Sequence, residues 1–151
     1  MEVKLKLLVP YVDGIWVASD VVTFFGSKIE TRMFVVRLRD GNLFVCSPTW
    51  LTPEMKVELD SLGEVKYVVS PNKIHNQCMG AYFENYPDCQ LYASPGLVQR
   101  RRDLKFYAEL TEEPEEEWKD EIDQAIVQGN SFFKEVVFYH KASQTLIVCD
   151  L

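Results

Sequence analysis

Apolar and polar positions alternate over residues 4–9, and short β-branched or aromatic runs follow at 15–17 and 21–25, the pattern of half-buried strands. Met33-Phe34-Val35-Val36-Arg37-Leu38 then leads through Arg39-Asp40-Gly41-Asn42 into Leu43-Phe44-Val45-Cys46. An Asp-Gly pair between two apolar runs predicts a hairpin, because Gly accepts the positive φ that a tight turn requires. The first third of the chain therefore predicts a β meander.

The pattern changes after residue 50. Thr52-Pro53-Glu54 predicts a helix start, with Thr as cap and Pro in the first turn; Met55, Leu59 and Leu62 fall on one face before Gly63. The run VKYVV at 65–69 is almost continuously apolar, which suits a short strand covered on both faces. Met79, Tyr82, Phe83 and Tyr86 have helical spacing and predict a second helix over 75–86, ended by Pro87. Gln90-Leu91-Tyr92-Ala93 predicts a strand, and Ser94-Pro95-Gly96-Leu97 another helical turn. Successive strand-helix-strand units imply a right-handed crossover and a partly parallel sheet. The acidic stretch TEEPEEEWKDEID at 111–123 predicts a solvated loop and helix anchored by Trp118 and Ile122. Residues 135–140 and 145–149 predict a hairpin turned at Lys141-Ala142-Ser143-Gln144.

At 151 residues and 47% hydrophobic, the chain fits one domain with a sizeable core. The 23 acidic and 16 basic residues give a net charge of -7, which argues against a nucleic-acid or anionic-membrane surface as its main business. Arg100, Arg101 and Arg102 with Lys105 read either as a hold for an anionic group or acidic partner, or as a solvated face. Cys46, Cys78, Cys89 and Cys149 form no CxxC pair. With no apolar leader and no run of roughly 20 apolar residues, a soluble cytoplasmic protein with reduced thiols is expected.

Candidate chemistry gathers at strand ends, the usual place for function in α/β sheets. His75 follows Ser70-Pro71-Asn72-Lys73-Ile74, His140 ends EVVFYH, and Asp150 follows TLIVC. The three read as metal ligands or, more plainly, as a helix cap, a hairpin closure and a terminal residue. Cys78, one turn beyond His75, reads as core or as a soft ligand or nucleophile. Cys149 and Asp150 alternate across a strand and point to opposite faces. Ser47-Pro48-Thr49-Trp50 reads as a turn and helix cap that can also line the edge near SPNKIH. Tyr82, Phe83, Tyr86, Tyr92 and Tyr107 read as core or as pocket lining.

The segments RMFVVRLRDGNLFVCSPTWLT, LGEVKYVVSPNKIHNQCMGAYFENYPDCQLYASPGL and FFKEVVFYHKASQTLIVCDL resemble an uncharacterised domain family distantly similar to the metallo-β-lactamase-fold hydrolases, over nearly the whole chain. The resemblance implies an α/β fold, an αββα sandwich of which this chain supplies a part, as a single domain over 1–151. In that superfamily a metal-bound hydroxide attacks an ester, amide or phosphodiester. Its HxHxDH loop, aligned by its last His on His75, places Ser70 and Asn72 at the first two His positions and Ile74 at the Asp. His140 and Asp150 resemble the next metal His and the bridging Asp.

The resemblance thus implies a remnant site for one zinc or iron ion at His75, His140 and Asp150, with Ser70 and Asn72 lining a pocket. Three protein ligands and a water are what a catalytic zinc requires. Three functions follow as expectations: a non-catalytic module binding a small molecule, a mono-metal hydrolase of a small ester or phosphodiester, and a structural partner whose exposed sheet edge is covered by another chain, for which a homo-oligomer is one arrangement.

Overall fold

The computed structural model describes residues 6–129 and 133–151. Among the described residues, ten strands and three helices run in the order β1 (Val9–Val12), β2 (Ile15–Phe24), β3 (Ser27–Arg37), β4 (Asn42–Cys46), α1 (Pro53–Leu62), β5 (Glu64–Val69), α2 (Met79–Asn85), β6 (Gln90–Ala93), α3 (Leu97–Arg100), β7 (Ala108–Glu109), β8 (Ile122–Gln128), β9 (Lys134–His140) and β10 (Thr145–Ile147). They make a seven-stranded sheet in sequential order β1 to β7 and a three-stranded sheet in the order β10-β9-β8. Strands β1 to β4 are antiparallel neighbours, whereas β4 to β7 run parallel. The result is the expected mixed α/β fold with hairpins.

Alternation along the central strands builds two cores. Leu43, Val45, Val68 and Leu91 face one side, where Met55 and Leu59 of α1 and Met79 and Tyr82 of α2 cover them. Phe44, Cys46, Tyr67, Val69 and Tyr92 face the other side and meet Ile122, Val136, Phe138 and Ile147 of the small sheet, with Trp118 between. Side chains on a strand point alternately to opposite faces, so strands that are apolar throughout serve both cores. Edge-to-face rings bind the second core, with the Phe44 centroid 5.1 Å from both Trp118 and Phe138. Among the described residues no helix is long and apolar enough to cross a membrane.

Most predicted elements form. Thr52 caps α1, its hydroxyl accepting the Met55 N–H, and Gly63 ends it. Three expectations need correction, and one strand was not expected. Of the strand expected over 4–9, residues 4 and 5 lie outside the described residues, and the first strand begins only at Val9 because the Leu7 and Leu8 amides donate to the Glu58 carboxylate. The second helix starts at Met79 rather than His75, since the Asn72 side chain captures the Ile74 and His75 N–H groups. The acidic segment is turns without a helix, although Trp118 and Ile122 are buried as expected. Ile122 opens β8, a strand masked in the sequence by the buried polar Gln124, whose amide donates to the Thr111 and Glu113 carbonyls and accepts from the Trp118 indole.

Candidate functional site

The carboxyl ends of the parallel strands β4, β5 and β6 share one edge, and a Ser-Pro step follows each: Ser47-Pro48, Ser70-Pro71 and Ser94-Pro95. Ser47 and Ser70 extend the ladder by one bond each, Ser47 N–H to the Val69 carbonyl and Ser70 N–H to the Tyr92 carbonyl. The prolines then end it, having no N–H to donate. The three serines are buried in a row at this edge.

Asn72 organises the loop after β5. Its side-chain oxygen accepts the Ile74 and His75 amides, and its Nδ2 donates to Glu135 Oε1 at 2.9 Å and to Asp150 Oδ2 at 2.8 Å. Its amide is thus bonded on both sides, a division of labour that neither His nor Asp can supply. Glu135, fully buried at the start of β9, also accepts the main-chain N–H groups of Cys149 and Asp150. The Pro71 carbonyl receives the Val136 N–H, so the small sheet is stitched to the loop from both sides.

His75 lies within this frame. Its Nε2 is 2.7 Å from Asp150 Oδ2, its Nδ1 is 2.8 Å from Ser47 Oγ and 3.3 Å from Thr31 Oγ1. An ionised carboxylate only accepts hydrogen bonds. Nε2 therefore carries a proton toward Asp150, and Nδ1 pairs with the Ser47 hydroxyl. Two clefts meet here. One, of about 130 Å³, is walled by Thr31, Thr49, Trp50, Ile74, His75 and Asp150. The other, of about 230 Å³, shares Thr31, His75 and Asp150 and adds Arg32, Phe34 and Val148.

The sequence-predicted residues separate into two groups. Ser70, Asn72, His75 and Asp150 come together, with Ser70 donating to the Asn72 carbonyl at 2.6 Å. His140 does not join them. It ends β9 five residues beyond Glu135, about 16 Å further along the strand at 3.3 Å per residue. There its Nδ1 is 2.6 Å from Ser143 Oγ, and burial pushes its pKa below the ordinary value against the opposing charges of Glu121 and Asp13. Among the described residues no group of three or more His, Cys, Asp or Glu side chains is placed to hold a metal ion. With His75 and Asp150 bonded to one another, the residues present do not fit the zinc or iron ion that the resemblance implies.

The remaining candidates resolve toward structure. Burial lifts the Cys78 thiol to about 11, which keeps it protonated and inert. The Arg101 guanidinium braces the site loop through the Asn76 carbonyl and side chain and pairs with Asp103. Tyr82 and Tyr92 are core, whereas Tyr107 is exposed. The sequence reading missed Glu135 and Thr31; for Ser47-Pro48-Thr49-Trp50 it offered a turn and helix cap or a lining of this edge, and the cap is Thr52 while Pro48, Thr49 and Trp50 line the cleft. The threefold Ser-Pro step after apolar runs was the available signal for Ser47.

Comparison with solved structures places this architecture in the metallo-β-lactamase fold. DIM-1 metallo-β-lactamase exposed to ceftazidime matches with a TM-score of 0.72 at 16% identity, over 97% of this chain and 70% of that one. The metallo-β-lactamase from Pontibacter korlensis gives 0.70 at 12% identity, over 92% and 68%, and IND-7 gives 0.68 at 12%, over 96% and 71%. The family described as "Domain of unknown function (DUF4336)" matches residues 12–151, and the chain belongs to it. No curated protein matches the chain.

Proposed function

We propose that this chain is a metal-independent version of the fold that binds a small molecule in the cleft beside His75. The observation that supports it most directly is the closed set of partners around the old metal loop. Asn72, His75, Asp150 and Glu135 satisfy one another, with Asn72 Nδ2 bridging two carboxylates at 2.9 and 2.8 Å. The cleft combines apolar walls from Val22, Phe24, Ile29 and Trp50 with a few convergent polar groups at Thr31, Thr49, His75 and Asp150, the usual make-up of a ligand site. Its charged lining groups are the acids Asp20, Glu30 and Asp150, so the ligand is a small neutral or cationic molecule rather than an anion.

The mono-metal hydrolase alternative has two of its expected three residues together, His75 and Asp150, and lacks His140. Titration of isotope-labelled protein with a library of small neutral and cationic fragments, read by amide and indole NMR shifts, tests the reading. Shifts concentrated at Thr31, Thr49, Trp50, Ile74 and Gln77, with none on adding zinc, are the expected result. Zinc shifting His75 and Asp150 stoichiometrically would sink it.

A further inference from the structure

The same contacts have the layout of a site that needs no metal. Ser47 Oγ, the His75 ring and the Asp150 carboxylate lie in one hydrogen-bonded line at 2.8 and 2.7 Å. We propose that this line is a nucleophilic relay, with Ser47 as the attacking hydroxyl, His75 as its base, Asp150 as the group that holds the imidazole, and an ester as substrate class. The ring is used in the opposite sense from the familiar serine hydrolases, in which the carboxylate meets Nδ1 and the serine Nε2. The roles are set by proton connectivity: an Nε2–H faces the Asp150 carboxylate, and in the neutral ring Nδ1 is then the lone-pair nitrogen, 2.8 Å from Ser47 Oγ.

Three further observations converge on Ser47. Its φ is 58°, and the other non-glycine residues with positive φ among those described, Phe25 and Gln144, lie in hairpin turns. Ser47 instead directly follows β4, so a left-handed serine stands at the strand-to-loop bend ahead of α1. Backbone strain of this kind is kept at functional bends. Asn72 and Glu135 hold Asp150 in place, supplying the support that a relay needs. Finally, the three residues after Ser47 together with His75 and Asp150 line the cleft, and Ser47 itself is buried directly behind His75, 2.8 Å from its Nδ1.

In the step proposed, Ser47 Oγ attacks the ester carbonyl carbon and its proton passes to His75 Nδ1. The tetrahedral adduct breaks its bond to the leaving oxygen, which takes that proton and departs as the alcohol. A water molecule then repeats the sequence on the acyl-serine, giving the carboxylic acid and restoring Ser47. Thr31, whose hydroxyl is 3.3 Å from the same Nδ1, is the competing donor and the alternative nucleophile.

The inference rests on the metal-independent reading above and is tested separately from it. The protein is incubated in chelator with an alkyl fluorophosphonate, which traps an activated serine as a P–O bond with loss of fluoride, and in parallel with p-nitrophenyl acetate. One equivalent of adduct, mapped by peptide mass spectrometry to Ser47, is expected. Acetate release should fall by about 100-fold or more in Asp150→Asn and His75→Gln, the scale of a lost base, and vanish in Ser47→Gly, which keeps the left-handed backbone. Mapping is done on the unaltered chain and does not depend on the variants folding. No adduct, or adduct on Thr31 or a lysine, overturns the relay. That result leaves the binding reading standing if fragments still shift the cleft amides, whereas stoichiometric zinc at His75 overturns both.

Discussion

The two histidines lie by opposite ends of β9, His75 in a loop of the large sheet bonded beside its start and His140 at its end, and the contrast between those ends shows where this fold can keep chemistry. At one end His75 meets Ser47, Thr31 and Asp150, drawn from three separate loops and strands, with Asn72 and Glu135 beneath. At the other, His140 bonds Ser143 within its own hairpin and packs beside Gly14. The first arrangement is long-range and convergent. The second is local, a turn closing on itself. Both residues follow apolar strands, but a parallel sheet gathers its carboxyl ends on one edge, whereas antiparallel strands send successive ends to opposite edges.

Mutations that separate the two ends sharpen the comparison, beginning with the largest effect. Glu135→Ala removes the buried acceptor of three N–H groups and should cost about 3 kcal/mol in urea unfolding, while hydrogen exchange at Cys149 and Asp150 rises. Asn72→Ala should cost about 2 kcal/mol, since it breaks bonds on both faces of one amide. Ser143→Ala at the other end loses two neutral, part-buried bonds within one turn, to His140 and Thr145, and should cost about 1 kcal/mol. A cost for Ser143→Ala equal to that of Glu135→Ala would erase the distinction between a convergent and a local site.

The smallest effect is one of pH. Burial holds the His140 pKa below its ordinary value. On acidification the unfolded chain takes up the proton first, near pH 6.5, and the folded chain only at lower pH. Stability should therefore fall as pH drops below about 6.5 and level off once folded His140 also titrates. The difference in unfolding free energy between the parent chain and His140→Gln, followed from pH 7.5 to 5, isolates this contribution. A flat difference would place His140 outside the buried hairpin.

The pattern of the fold was legible wherever a local rule decided the structure. Asp40-Gly41 turned the β3–β4 hairpin, Thr52-Pro53 opened α1, and the doubly apolar β5 lies between two covered faces. Elements decided by distant side chains were not legible. Glu58 ended the extended run before Val9, Asn72 delayed α2, and Gln124 broke the apolar alternation of β8.

The site divides in the same way. Asn72, His75 and Asp150 follow strands whose ends meet, so their grouping was readable. Glu135 was hidden at the beginning of a strand, where nothing in the pattern distinguishes a buried carboxylate from a solvated one. Only the antiparallel pairing of β9 with β10 brings the start of one beside the end of the other. The same pairing carries His140 away, which a rule about strand ends alone could not foresee.

The central claim is that hydrogen bonds among Asn72, His75, Asp150 and Glu135 replace a metal ion at this loop. Elemental mass spectrometry of the protein purified from zinc- and iron-supplemented medium without chelator tests it most directly, beside a His75→Ala, Asp150→Ala double variant. The account predicts no bound zinc or iron above the level of the double variant. One equivalent of either metal in the parent chain, lost in the double variant, would contradict it.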